Sequence, residues 1–169
     1  MANKAQKNQK TKQTTINWSV IILYIAVAEA VGFISNRLCG DVKGFYQNLS
    51  LPPFAPAGWF FGVAWLFLYA LMAGIVGWIH QNPAFKDKRA RIIDLYWGQL
   101  FLNFCWSPIF FRYQDFMMAT IIIAALIFLN YCLTVLIGRL NKKMGCWTWV
   151  YLLWLFFAAY LTLGVMNLN

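Results

Sequence analysis

Charge is scarce in this sequence, and acidic charge is the scarcest. Only 11% of the 169 residues are charged, with 5 Asp and Glu against 14 Lys and Arg, whereas soluble domains are about 25% charged. Hydrophobic residues make up 62% of the chain. A soluble protein of this length cannot bury so much apolar surface, but a lipid bilayer accepts apolar side chains on the outside of a protein. The composition excludes an ordinary soluble domain and predicts an integral membrane protein.

Residues for metal-binding and disulfide chemistry are also few. The chain has one His and four Cys, and no two cysteines form a CxxC pair. Cys105 and Cys132 lie within apolar runs, where a free cysteine behaves as a small hydrophobe. No glycine-rich phosphate loop and no nucleophile with a neighbouring base is apparent. We therefore predict no metal site, no disulfide framework and no conventional catalytic residues.

Five apolar runs are long enough to cross a bilayer, which takes about 20 helical residues. Backbone polar groups in lipid must be paired within their own segment, so we predict helices. The predicted fold is an all-α integral membrane bundle of five transmembrane helices that forms one domain, residues 17–169. The tail of residues 1–16 is rich in Lys, Gln and Asn and is predicted to be disordered. The helices are predicted at about 17–36, 57–80, 92–111, 114–138 and 146–168.

Basic residues give the orientation. Eleven of the fourteen Lys and Arg lie in the tail and in the loops after the second and fourth runs, which share one side; Arg37, Lys43 and Arg112 lie on the other. The positive-inside rule puts the tail in the cytoplasm and Asn169 outside. The predicted location is the cytoplasmic membrane of a bacterium, with the lipid bilayer as partner. Nucleic-acid binding is not expected, because the basic residues flank membrane runs.

Nine tryptophans are many for this length. Most lie near a predicted helix end, as in the aromatic belts at membrane interfaces. Trp65, Trp106 and Trp154 lie deeper, Trp65 about 12 Å below the outer end of its helix. These three are predicted to belong to the core or to a pocket.

Two polar residues in the apolar runs have alternative interpretations. Asn103 shares a helix face with Trp106 and Ser107, at i, i+3 and i+4. Its amide either makes an interhelical hydrogen bond or is the polar anchor of an apolar ligand pocket. Glu29 is a functional candidate because it is ionisable within a membrane helix. The alternative, which we expect, is a neutral carboxyl hydrogen-bonded to another helix.

Several motifs resemble one known family. The stretch Tyr46–Pro56, YQNLSLPPFAP, precedes a helix with Trp59, Gly62, Trp65, Tyr69 and Met72. The third run contains QLFLNFCWSPIFF at residues 99–111, and the fifth contains YLLW followed by Phe157, Ala158 and Leu161. These residues are similar to the translocator protein family, also called tryptophan-rich sensory protein or peripheral benzodiazepine receptor. The similarity covers about residues 22–169.

The resemblance implies a five-helix bundle, often a homodimer, with a pocket under the first loop. Family ligands are tetrapyrroles such as protoporphyrin IX, haem precursors, sterols in animal members and benzodiazepine-type compounds; no obligatory cofactor is implied. Some bacterial members promote light-dependent breakdown of protoporphyrin IX, and the tryptophans implicated match Trp65 and Trp154 as candidate catalytic residues. By position, the pocket residues are Tyr46, Trp65, Tyr69, Asn103, Trp106, Ser107, Trp154, Phe157, Ala158 and Leu161.

The sequence departs from the family pattern in the first loop, where the usual Trp-x-Pro-Pro is replaced by FAPA at residues 54–57. No basic residue follows Lys143, so sterol binding of the animal kind is not expected. The leading hypothesis is a receptor or sensor-like protein that binds tetrapyrroles. A light-dependent porphyrin-degrading enzyme is the second. A tetrapyrrole transporter is the third, although no internal repeat or paired charges mark a path.

Overall fold

The computed structural model describes residues 16–169, and all regular structure in this part of the chain is helical. The predicted all-α class is therefore confirmed. The predicted disordered tail falls, except for Ile16, outside the described residues. A short 3-10 turn, Pro83–Phe85, lies between the third and fourth helices. The helices are α1 Trp18–Leu38, α2 Val42–Asn48, α3 Gly58–Gln81, α4 Arg89–Phe111, α5 Phe116–Leu140 and α6 Lys142–Leu168.

Each predicted apolar run falls on one of the five long helices, with ends that differ by at most four residues. Within residues 16–169, four helices are long and apolar enough to cross a membrane: α1, α3, α5 and α6. The helix α4 has 23 residues but does not meet this criterion, because Gln99 and Asn103 interrupt its apolar sequence and charged residues occupy its first turns. Both amides are buried inside the bundle.

The five long helices form a closed ring. Helix α1 contacts α3 and α4, α5 contacts α4 and α6, and α3 contacts α6; α3 also contacts α4 across the ring. At one end of the bundle, the Asn17 amide donates to Gln81 Oε1 at 2.8 Å. At the other, Ser50 hydrogen-bonds to Asn169. Successive long helices therefore run in opposite directions, and their buried stripes meet in one core.

Side chains fix where several helices begin. An Asn or Asp before the first turn accepts a hydrogen bond from a backbone amide two or three residues later, which satisfies a donor that the helix leaves free. Asn141 ends α5 and caps α6, so these helices turn back on each other within one residue. The close α5–α6 contact brings the backbones of Gly138 and Gly145 together. The capping residues are Asn17, Asp41, Asp115 and Asn141.

The resemblance placed a loop before α3 with a pocket under it, and this prediction missed the seven-residue helix α2 within the segment. Its Phe45 ring lies 6.1 Å from Phe111 and 6.4 Å from Phe116, measured between centroids. We call residues 39–57 the cover segment. Tyr160 Oη donates to the Pro53 carbonyl at 2.8 Å and holds this segment to α6.

Candidate functional site: a cavity beneath the cover segment

A cavity of about 1010 Å³ lies between α1, α3 and α4, directly beneath α2. Ligand pockets in proteins measure about 300–1,000 Å³ and are mostly apolar with a few polar groups. This cavity is at the upper end of that range. Its aromatic lining comes from all four helices: Phe33, Tyr46, Trp59, Phe61, Trp65, Tyr69, Trp106 and Phe111.

The cavity is open on the side between α1 and α3. Phe33 of α1 and Trp59 and Leu66 of α3 line it, yet they are 65%, 71% and 61% exposed. At Gly62 the helices are apart, since a Cβ there would meet nothing within 4 Å. At Gly32 they touch, because a Cβ would lie 2.5 Å from Cε2 of Tyr69. The cavity is therefore open to the outside of the bundle near Gly62 and closed near Gly32. We call this closed, deep end of the cavity the floor.

Glu29 lies one helical turn below Gly32 and belongs to the cavity lining. Its Oε1 atom is inaccessible and has no hydrogen-bond partner among residues 16–169. The hydrogen bond to another helix that we expected is thus not made by this oxygen. The neighbouring Tyr69 is buried and forms part of the same floor.

The opposite end of the cavity, at the cover segment, is polar. Lys43 and Gln47 of α2 are exposed and line it. Tyr46 Oη donates to the Pro56 carbonyl at 2.7 Å, and burial raises the pKa of Tyr46, so the hydroxyl stays protonated in this hydrogen bond. Burial also raises the pKa of the Cys39 thiol to about 11. A thiolate at Cys39 is therefore excluded near neutral pH.

A second void of about 20 Å³ lies between α3, α4 and α6, enough for about one water molecule. Trp154 lies on its α6 side, 6.1 Å from Trp65 in an edge-to-face arrangement. The indole nitrogens of Trp106 and Trp154 are buried and unpartnered within the described part of the chain. The void shares with the main cavity the walls formed by Tyr46, Phe61, Trp65, Trp106 and Phe111.

Eight of the ten predicted site residues line one of these two spaces. Those in the main cavity are Tyr46, Trp65, Tyr69, Trp106 and Ser107. The remaining three, all from α6, line only the small void: Trp154, Ala158 and Leu161.

Asn103 and Phe157 line neither space. Asn103 is 2% exposed, and its Nδ2 donates to Tyr151 Oη on α6 and to the Gln99 carbonyl. Of the two interpretations of Asn103, the geometry therefore favours the interhelical hydrogen bond. Phe157 contacts Trp154 with 5.6 Å between ring centroids.

No residue of α1 was predicted to line the pocket, although Glu29 was a functional candidate, but α1 forms a whole wall. Glu29, Gly32, Phe33 and Asn36 all line the cavity. They are spaced i, i+3, i+4 and i+7, which is one helix face. A glutamate and a glycine on a single face of an apolar helix were the signal that could have identified this wall.

Comparison with known proteins identifies relatives of this chain. The sequence profile described as the TspO/MBR family matches residues 20–168. The chain is 31% identical to a translocator protein homolog of Schizosaccharomyces pombe, over 90% of this chain and 91% of that protein. It is 29% identical to the tryptophan-rich protein TspO of Archaeoglobus fulgidus, over 88% and 96%. It is 26% identical to a tryptophan-rich sensory protein of Cereibacter sphaeroides, over 91% and 94%.

Proposed function

The chain belongs to the TspO/MBR family, and from this membership and the cavity we propose that it is a membrane receptor for a tetrapyrrole such as protoporphyrin IX. The observation that carries the proposal is the aromatic cavity of about 1010 Å³ beneath the cover segment. It is large enough for a ligand at the top of the usual size range and opens on the apolar outside of the bundle.

Aromatic walls suit a flat macrocycle, because offset and edge-to-face arrangements of rings are favourable. Trp65 and Tyr69 lie 5.5 Å apart on one wall, and Trp106 faces the cavity from α4. The carboxylates of protoporphyrin IX fit the polar end, where Lys43 supplies a positive charge. The buried indole N–H of Trp106 has no partner among the described residues.

The test is a dark titration with protoporphyrin IX followed by tryptophan fluorescence, using a variant that fills the cavity. Gly62 lines the cavity, and a Cβ there would meet nothing within 4 Å, so a leucine has room to extend from this position. We expect saturable quenching for the parent chain and at least about tenfold weaker binding for Gly62→Leu. Ala124→Leu adds nearly the same bulk, three carbon atoms against four, on the exposed side of α5 and should bind like the parent. Equal affinity for Gly62→Leu would contradict the proposal.

The proposed receptor crosses the membrane with all five long helices, α4 included. The antiparallel ring supports this, because α4 can hide its amides between α1, α3 and α5, and membrane helices keep polar side chains inside the bundle. The cover segment would lie outside and the basic end in the cytoplasm. In intact cells that express a variant without its four native cysteines, a membrane-impermeant maleimide should label Lys43→Cys and spare Asp87→Cys. The reverse labelling would overturn this orientation.

A second candidate function is light-dependent degradation of the bound porphyrin. The observation that favours it is the edge-to-face pair Trp65 and Trp154, 6.1 Å apart beside the cavity, since an indole can supply an electron to an excited macrocycle. Under illumination in air, the parent should bleach protoporphyrin IX faster than Trp65→Phe with Trp154→Phe. The control pair Trp147→Phe with Trp149→Phe changes two exposed indoles on the first turns of α6. Equal bleaching by all three proteins would remove this candidate.

A further inference from the structure

Glu29 is an unusual residue for the middle of the apolar helix α1. It is the only glutamate in the sequence and, among residues 16–169, the only acidic residue in the cavity lining. An acidic group in an apolar helix is costly unless something pairs with it. Its Oε1 atom nevertheless has no partner among residues 16–169. This oxygen is inaccessible, so the rest of the carboxyl group, which lines the cavity, is the part that a ligand can reach.

Among residues 16–169, no basic side chain near the floor pairs with this carboxyl group. Lys43 is the only basic residue of this part of the chain in the lining, and it lies on α2, beyond the outer end of α1. Glu29 is nine residues below Leu38, or about 13 Å along the helix axis. The cavity thus has a positive end at the cover segment and an acidic floor.

The other groups near the floor are aromatic. Tyr69 and Trp65 line the cavity from α3 and Phe33 lines it from α1, while Gly32 leaves room for the Tyr69 ring. Aromatic faces attract organic cations through the quadrupole of the ring, and a carboxylate beside them adds a charge-assisted hydrogen bond. A carboxyl group within an aromatic enclosure is the chemistry that recognises an ammonium group.

We propose that Glu29 makes the cavity selective for flat apolar ligands that carry a protonated amine, with the ammonium group bound at the floor. The inference rests on the proposed function, because it uses the same cavity. The inference adds a preference for a positively charged group. Binding of protoporphyrin IX does not test this preference, because its charged groups are carboxylates. A ligand with an amine at one end and a carboxylate at the other would match both ends of the cavity.

The test uses two probes with the same flat ring system, 1-pyrenemethylammonium and 1-ethylpyrene. Binding to the full chain in a neutral detergent is followed by energy transfer from tryptophan to pyrene. We expect the parent to bind the ammonium probe at least about tenfold more tightly, which corresponds to about 1.4 kcal/mol. Glu29→Gln should remove this preference and leave the affinity for 1-ethylpyrene within about twofold.

Asp94→Asn is the matched control, since it also removes one carboxylate but from an exposed position on α4, and it should keep the preference. Glu29→Gln preserves side-chain shape and breaks no hydrogen bond to Oε1, and its affinity for 1-ethylpyrene reports whether the cavity is intact. Equal binding of the two probes by the parent, failure of both to bind, or a preference that persists in Glu29→Gln would overturn the inference. The protoporphyrin IX result decides the proposed function separately.

Discussion

Replacing Asn103 by alanine separates a structural role of this side chain from a role in ligand binding. Asn103 is buried, and its Nδ2 links α4 to α6 through Tyr151 Oη. The alanine variant loses this link and leaves the Tyr151 hydroxyl, also buried, without its partner. Because Asn103 lines neither space, we expect protoporphyrin IX affinity to stay within about twofold of the parent.

The loss of stability can be bounded from the contacts. Interhelical hydrogen bonds in membrane proteins contribute about 0.6 kcal/mol on average and up to about 1.7. A buried polar group left unpaired costs about 1–3 kcal/mol. We therefore expect Asn103→Ala to lower the free energy of unfolding by about 1–2 kcal/mol. The assay is equilibrium unfolding in mixed micelles of increasing dodecyl sulfate content, followed by circular dichroism.

A double-mutant cycle with Tyr151→Phe isolates the pair. We expect a coupling free energy of about 0.6–1.7 kcal/mol between the two positions. If the losses of unfolding free energy in the two single variants add up to the loss in the double variant, the interhelical hydrogen bond is refuted. A tenfold loss of porphyrin affinity with unchanged stability would instead indicate that Asn103 belongs to the binding site.

Three further variants test the packing and the cover segment. Gly145→Ala places a Cβ against the backbone of Gly138 and should destabilise the protein by about 1–3 kcal/mol, seen as a lower thermal midpoint; no change would show that α5 and α6 separate easily. Gly40 has φ +77° and open space around it, so Gly40→Ala should lower the free energy of unfolding by about 1–2 kcal/mol through backbone strain alone. The unfolding titration described for Asn103→Ala measures this loss. An unchanged free energy of unfolding would contradict the strain. Asn169→Ala removes two hydrogen bonds of 2.9 and 3.0 Å to Ser50. It should speed both association and dissociation of protoporphyrin IX in stopped-flow experiments. Unchanged rates would mean that the cover segment does not limit access to the cavity.

The long helices could be predicted because each apolar run is bounded by charged or proline-containing segments. The depth of Trp65 and Trp106 followed from counting residues along a helix, and both line the cavity. The short helix α2 could not be predicted in this way, because seven residues carry too little periodicity. Its start depends on Asp41 accepting a bond from the Gly44 amide.

The arrangement of the walls depended on the order of helices in the ring, which hydropathy does not contain. The ring puts α1 and α4 beside the main cavity and α6 beside the small void. Trp154 therefore faces a different space from most of the predicted set, and Glu29 faces the main one. Asn103 and Trp106 share a helix face by spacing, but Asn103 lies about one turn deeper, where Tyr151 of α6 is within reach.

The most direct test of the proposed site is an experimental structure of the protein with protoporphyrin IX bound. We predict density for the macrocycle between α1, α3 and α4, against Trp65, Tyr69 and Trp106, with its carboxylates toward Lys43. Density confined to the outer surface of the bundle, or on the α6 side against Trp154 with the main cavity empty, would contradict the proposal.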